Sequence, residues 1–511
     1  MMKKLYLIFI TLCLAACHPE ETIINPQAPQ SDLLPVAKID YLIQETLAQE
    51  GAFAWSRVAD EVLWSALVQS DSVLMVGYQP AGEQLVNQKL HTITVADPAW
   101  VQAKERVLDQ ILAIENGSRE ASQSVESLLL KEDDTLPYME IKTASLAVVQ
   151  YLRASPRVRY VEPASYYLQT PDPAPNQRVA SKLSCTYIDD APVPAADYQS
   201  LSPEVKASWN LFPLSIPQAW GRSTGAGITV GLIDTGTSPT QPKLGSEFNQ
   251  GESQGRTITK LGTYQGDASD DLCGHGTRMA GLIVAPRGYG GTAVGVAYNA
   301  SLVAIRGTGD VILDSRDEKR GVANALKVLG NSPDVRIISM SIGSLFSIGS
   351  VKDAIRYAYG KGKLIFCAAG TSTSFTTWAG VIFPARMSET VAVTGVREGN
   401  QYKRCNTCHT GSAVDFTMTM QRSDPDRTTL ALPEAGTGLS TVGGSSAATA
   451  LAAGVAALVW STDPSMHRDA VYQRLKETAD LYPNRDRSFG WGNIDAYQAV
   501  ASSGAVAKTL N

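Results

Sequence analysis

Apolar and polar positions change period several times along this chain, and each change marks an expected element. Ser72-Val73-Leu74-Met75-Val76-Gly77-Tyr78 is a short apolar run of the kind that forms a strand. From Trp100 to Glu115 the residues Trp100, Ala103, Val107, Ile111 and Ile114 recur at helical spacing on one face. Met139 and Ile141 alternate with Glu140 and Lys142, as a half-buried strand requires. Leu146, Val149 and Leu152 return to helical spacing, and Val158-Arg159-Tyr160-Val161 reads as strand again. Together these predict a small α+β unit of ferredoxin-like type.

The next stretch, 168–208, is rich in Pro, Ser and Asp and includes Pro171-Asp172-Pro173-Ala174-Pro175, which is linker chemistry. Beyond Trp209 the texture changes. Ile228–Ile233, Ser301–Ile305, Val335–Met340, Leu364–Ala368 and Thr390–Val393 are short apolar runs, and helix-like segments such as Lys319–Leu329 and Val351–Tyr359 separate several of them. That alternation predicts an α/β fold, a parallel sheet covered by helices on both faces. Residues 17–70 are polar and then helix-like, with no legible chemistry.

A chain of 511 residues exceeds one ordinary domain, and 44% hydrophobic content supplies large cores. The net charge of -6, with no basic run, argues against a nucleic-acid partner. Lys3-Lys4, the apolar stretch Leu5–Leu12 and Leu14-Ala15-Ala16-Cys17 form a secretion signal too short to span a bilayer. Leu-Ala-Ala-Cys resembles the bacterial lipobox, which implies cleavage after residue 16 and lipid attachment to Cys17. No later segment is expected to span a membrane. Of the remaining cysteines, Cys185, Cys273, Cys367, Cys405 and Cys408, the odd count leaves at least one free thiol.

Candidate chemistry is concentrated in three motifs, Asp234-Thr235-Gly236, Gly274-His275-Gly276-Thr277 and Gly444-Ser445-Ser446-Ala447-Ala448. Asp234 ends a buried strand, where open parallel sheets place their functional groups. Gly274 and Gly276 strip side chains from beside the His275 ring. Ser446 stands in the first turn of a small-residue helix, near unpartnered backbone N–H groups that can stabilise an oxyanion. An aspartic peptidase would need a second Asp-Thr-Gly or Asp-Ser-Gly, or a dimer, and the chain contains no second copy.

In this Asp…His…Ser order the motifs resemble the subtilisin-like serine peptidases, the subtilases, over 209–511, and the resemblance implies a catalytic triad of Asp234, His275 and Ser446. It also implies substrate-binding segments at Ser341-Ile342-Gly343 and Ala368-Ala369-Gly370, within Ile338–Gly343 and Cys367–Gly370. Gly295-Val296-Ala297 and Gly490-Trp491-Gly492-Asn493-Ile494-Asp495 match further landmarks. The unit at 71–168, closing on Arg157-Val158-Arg159-Tyr160-Val161-Glu162-Pro163, resembles the subtilase propeptide inhibitor. The implied organisation is a signal at 1–16, a segment of unknown role at 17–70, the propeptide at 71–168, a linker at 169–208 and the catalytic domain at 209–511.

Two features depart from the family pattern. Thr371 stands where an oxyanion asparagine normally follows Ala-Ala-Gly, and Ala450 replaces the usual proline after the serine motif. Cys405-Asn406-Thr407-Cys408-His409 fits a c-type haem attachment pattern, a local disulfide or a loose metal site. Cys273 is either a free thiol near the site or a partner for Cys185. Catalysis of this kind requires no cofactor, and structural calcium, frequent in the family, has no legible loop here. The expected protein is an extracytoplasmic endopeptidase acting on polypeptides, made as a zymogen with its own propeptide and lipid-anchored in the bacterial envelope, facing the periplasm or the cell surface. Its catalytic domain is released after processing. The alternative is a weak or inactive relative whose groove binds peptides or a protein partner.

Overall fold

The computed structural model describes residues 32–117, 123–169, 185, 192–371, 380–399, 401–423 and 427–501. Cys17 and most of the expected linker lie outside them.

Helices α1 (Val36–Glu50) and α2 (Asp60–Val68) come first. An antiparallel sheet of β1 (Val73–Tyr78), β2 (Leu129–Glu132), β3 (Tyr138–Lys142) and β4 (Val158–Pro163) follows, in the order β2-β3-β1-β4. Helix α3 (Pro98–Gly117) connects β1 to β2 by way of a short turn of helix, and α4 (Leu146–Ala154) connects β3 to β4. This is the expected ferredoxin-like order. Trp100, Ala103, Val107 and Ile111 are buried as the helical spacing required. Ile39, Ile43 and Leu47 of α1 and Leu63 and Leu67 of α2 join the same core, so these two helices pack with the unit rather than apart from it.

One expectation changes. In β3 Glu140 is buried along with Met139 and Ile141, at 1% exposure, while Lys142 stays exposed. The cause is a bidentate pair, with Arg320 Nη2 at 2.8 and 2.6 Å from the two Glu140 oxygens. Burying a carboxylate is tolerable only when such a partner is supplied.

A hairpin of β5 (Tyr198–Leu201) and β6 (Val205–Ser208) leads into the second sheet. Its strands are β7 (Thr229–Asp234), β8 (Ile258–Gly262), β9 (Ser301–Arg306), β10 (Val335–Met340), β11 (Leu364–Ala368), β12 (Val391–Arg397) and β13 (Phe416–Gln421). All pairs are parallel, in the order β13-β12-β11-β10-β7-β9-β8. A second hairpin, β14 (Thr429–Ala431) and β15 (Ser440–Val442), follows β13. The sequence runs locate five of the seven parallel strands and miss β8 and β13, the two edges. Polar residues in Ile258-Thr259-Lys260-Leu261 and Phe416-Thr417-Met418-Thr419 interrupt the continuous apolar signal there.

Alternate residues along the inner strands feed two separate cores. Ile233, Ile305, Ile338, Met340 and Ile365 face α6 (Arg316–Asn331) and α7 (Gly349–Gly360), and this core runs on into the N-terminal unit. Val230, Leu232, Leu302, Ala304, Ile337 and Phe366 face α5 (His275–Val284) and α8 (Gly444–Thr462). Helix α8 is, against expectation, long and apolar enough to cross a bilayer, yet 89% of its apolar window is buried inside the domain. Its small residues allow close approach, and a Cβ on Gly454 would lie 2.7 Å from Val296. A central core helix therefore reads like a membrane span by composition alone.

The N-terminal unit docks on α6 and α7 through charged groups. Arg159 Nη1 donates to Asp353 at 2.9 Å, Lys319 Nζ to the Ala164 carbonyl at 2.7 Å, and the first N–H of α7, on Gly349, to Glu162 at 2.7 Å. The last contact places an anion at a helix N-terminus. The Tyr160 ring lies against Gly349 and Gly77, where any Cβ would come within 2.4 Å of it. On the far side, Phe53 forms an isolated bridge with Phe346 and their rings meet edge to face at 5.6 Å.

Candidate active site

Three parallel strands end at one level. Met340 is in register with Ile233 and with Cys367, so the next residues, Ser341, Asp234 and Ala368, lie side by side at the carboxyl edge of β10, β7 and β11. Strand spacing alone puts neighbours there about 4.8 Å apart.

Asp234 is buried at 1% exposure, and its Oδ1 lies 2.6 Å from His275 Nδ1. The same oxygen accepts the Thr235 N–H at 2.8 Å. A carboxylate facing Nδ1 fixes the tautomer that carries its proton there and leaves Nε2 as the basic nitrogen. Glycines make this contact possible. A Cβ on Gly276 would fall 2.2 Å from the Gly236 carbonyl, and Gly236 itself sits at φ +115°, closed to ordinary side chains.

The start of α5 is held by Asp271, which the sequence reading gave no role. Its Oδ1 accepts from Thr235 Oγ1 (2.8 Å), Cys273 N (3.0 Å) and Gly274 N (2.7 Å), and its Oδ2 from Thr277 N (2.8 Å) and Oγ1 (2.6 Å). Thr235 Oγ1 in turn accepts the Gly276 N–H at 2.9 Å. An aspartate just ahead of a helix was the available signal.

Ser446 is the third residue of α8, a helix that packs against α5. Its carbonyl accepts Ser341 Oγ at 2.9 Å, which ties the α8 start to the end of β10. The two neighbouring serines differ. Ser445 is wholly buried, and its Oγ accepts the Gly370 N–H at 3.2 Å and meets Thr371 Oγ1 at 3.1 Å. Ser446 is 9% exposed. Thr371 therefore stands at the N-terminus of α8, where a Cβ on Gly444 would be 3.1 Å from its hydroxyl.

The cysteine motif buttresses this turn. Cys405 and Cys408 form a disulfide, which takes both thiols that haem attachment would need. Cys408 bridges to Thr371, and the His409 N–H donates to the Gly370 carbonyl at 2.9 Å. The His409 ring packs so closely that a Cβ on Gly370 would lie 2.5 Å from its Nδ1. Burial pushes the His409 imidazole below its usual range, so it is held neutral. Cys273, two residues before His275, pairs with Cys185, and Cys367 is the buried free thiol among the described residues.

The two segments expected to bind substrate line this region but are not open edges. Ile342 is 2% exposed, and both backbone groups of Gly343 are hydrogen-bonded within the protein. The Ala369 carbonyl accepts from Ile382 N at 3.0 Å. Among the described residues no cluster of three or more His, Cys, Asp or Glu side chains is arranged to hold a metal.

Comparison with known proteins agrees with this geometry. Residues 225–492 match the profile of the Subtilase family. A subtilisin from Bacillus sp. (strain TA39) is 29% identical over 291 residues, which span 53% of this chain and 66% of that one. Subtilisin BL from Lederbergia lenta is 29% identical over 300 residues, 57% of this chain and 98% of its own. The crystal structure of fervidolysin from Fervidobacterium pennivorans, a keratinolytic enzyme related to subtilisin, shares the fold with a TM-score of 0.57 at 17% identity, over 85% of this chain and 61% of that one. With its sheet, motif order and family match in agreement, this chain belongs to the subtilase family of serine endopeptidases.

Proposed function

We propose that the chain cleaves polypeptides through an acyl-enzyme on Ser446, with His275 as general base and Asp234 as the carboxylate that orients it. The observation that carries this reading is the buried 2.6 Å contact between His275 Nδ1 and Asp234 Oδ1. His275 takes the Ser446 proton at Nε2 during attack and returns it to the leaving amine. The negative oxygen that forms meets the N–H groups at the start of α8, with the Thr371 hydroxyl beside them. The same exchange, run with water, frees the acyl group.

The unit at 71–168 acts in this reading as an inhibitory propeptide, made in one piece with the enzyme it covers. Its charged contacts with α6 and α7 favour a complex that survives cleavage of the linker until the ion pairs are exchanged for water. Removing one partner of a buried pair such as Arg159–Asp353 costs about 3–5 kcal/mol. Cys17 anchors the precursor by lipid in the bacterial envelope. The disulfides Cys185–Cys273 and Cys405–Cys408 favour an oxidising compartment, the periplasm or the cell surface.

A second reading keeps the groove and discards the chemistry. It is favoured by Thr371, whose hydroxyl already meets Ser445. Fluorophosphonate labelling of the full chain separates the two. The peptidase reading expects labelling that Ser446→Ala abolishes. A folded, processed chain that never labels, or labels equally after that substitution, supports the binding reading instead.

A further inference from the structure

The strand expected to pair with substrate is already occupied at its far end. Gly343 N–H donates to the Val311 carbonyl at 2.9 Å, and Leu313 N–H donates to the Gly343 carbonyl at 2.9 Å, a parallel bridge centred on Ile312. One residue later, Ser344 N–H donates to the Phe383 carbonyl at 2.8 Å. A backbone N–H has one proton to give, so an incoming peptide finds no open ladder at Gly343.

The gap between the two expected binding segments is bridged as well. Ile382 N–H donates to the Ala369 carbonyl at 3.0 Å, which fixes it to one wall. Its Cδ1 reaches the other wall, lying 2.4 Å from where a Cβ on Gly343 would stand. Glycine is required at 343 because the isoleucine side chain takes that volume. All of this is near the reacting centre. Ser341 Oγ touches the Ser446 carbonyl, and Gly343 lies two residues along the same strand, about 7 Å at strand rise.

We propose that the site takes peptides with a small residue immediately before the cleaved bond, and that residues further upstream than the second add nothing to recognition. Counting upstream along Ser341, Ile342 and Gly343, the third substrate residue meets the Val311–Leu313 bridge. The first side chain enters the space that Ile382 spans. This inference rests on the peptidase reading above and narrows it to a substrate class.

The test uses the full chain as expressed and processed, with acetyl-peptide p-nitroanilides of two, three and four residues ending in Ala or Phe. kcat/KM is expected to stay within about twofold as the peptide lengthens, with Ala preferred to Phe. Ile382→Ala is expected to raise the Phe-to-Ala ratio of kcat/KM by about tenfold or more, whereas general damage would lower both values together. A gain of about tenfold or more from the third or fourth residue overturns the proposal. So does a preference for Phe that Ile382→Ala leaves unmoved. A small alkyl fluorophosphonate needs no groove, so Ser446 labelling alongside length-dependent cleavage sinks this inference alone. Absence of both labelling and cleavage sinks the peptidase reading and this inference with it.

Discussion

Thr235 Oγ1 donates to Asp271 Oδ1 at 2.8 Å while accepting the Gly276 N–H at 2.9 Å, and so joins the β7 turn to the start of α5. One hydroxyl thereby sets Asp234 and His275 in mutual reach. The Asp271 carboxylate also holds Cys273, Gly274 and Thr277, all close to the imidazole in sequence.

Asp271→Ala is therefore expected to unseat the helix start and leave several buried donors without partners. The expected stability loss is about 3 kcal/mol or more, with kcat falling further than KM rises. Asp271→Asn, which keeps one accepting oxygen, should fall between. Chemical denaturation and steady-state kinetics on the three proteins measure both effects. Unchanged kcat in the alanine variant would show that His275 needs no such support.

Thr371→Asn is expected to raise kcat by about tenfold or more. In subtilisin, a relative, losing the oxyanion asparagine costs ~10² to 10³ in turnover, and the longer carboxamide restores reach that threonine lacks. KM should change little, because the donor acts mainly on the transition state. No gain in kcat would mean that another group already completes the oxyanion site.

The Cys185–Cys273 bond has a consequence for release. Cleavage of the linker before residue 185 frees the N-terminal unit from every covalent link to the catalytic domain. Cleavage after 185 leaves the two joined through sulfur. Denaturing gels run with and without reductant are expected to show two separate fragments in both lanes for the first case, and only in the reduced lane for the second. With the precursor anchored through Cys17 as proposed, the anchor belongs to the N-terminal piece, so escape of the catalytic domain from the membrane predicts the first pattern. A joined band without reductant, together with a soluble catalytic domain, would overturn that link.

His409 gives a pH dependence of definite sign. Burial lowers its folded pKa from the usual 6.5, so the native state resists the proton that the unfolded chain accepts. The corresponding stability is fully present above 6.5 and is lost as pH falls through the lowered folded value, at no more than ~1.4 kcal/mol per pH unit. Thermal unfolding at pH 7.5, 6.5 and 5.5 is expected to show a steeper acid loss in the wild type than in His409→Gln. Parallel profiles would exclude His409 as the source.

Much of the architecture is legible because it rests on local pattern. Parallel strands buried on both faces announce themselves as apolar runs, and the residues Asp234 and His275 stand in short motifs whose glycines answer to close backbone contacts. Gly276 against the Gly236 carbonyl is the clearest case. The α8 helix shows the limit of such reading, since its alanines fit a membrane span as well as a crowded core.

Other features were settled only by long-range packing. No local pattern shows that Ser445 is anchored to Gly370 while Ser446 beside it stays partly exposed, or assigns Cys185 to Cys273 across 88 positions. The bridge from Val311–Leu313 to Gly343 and the reach of Ile382 depend on strands brought together by the whole sheet. Sequence fixed which chemical groups this protein possesses, because period and composition act between near neighbours. Which of those groups touch, and how much room remains between them, was decided by contacts among segments far apart in the chain, where burial and hydrogen-bond satisfaction must be met all at once.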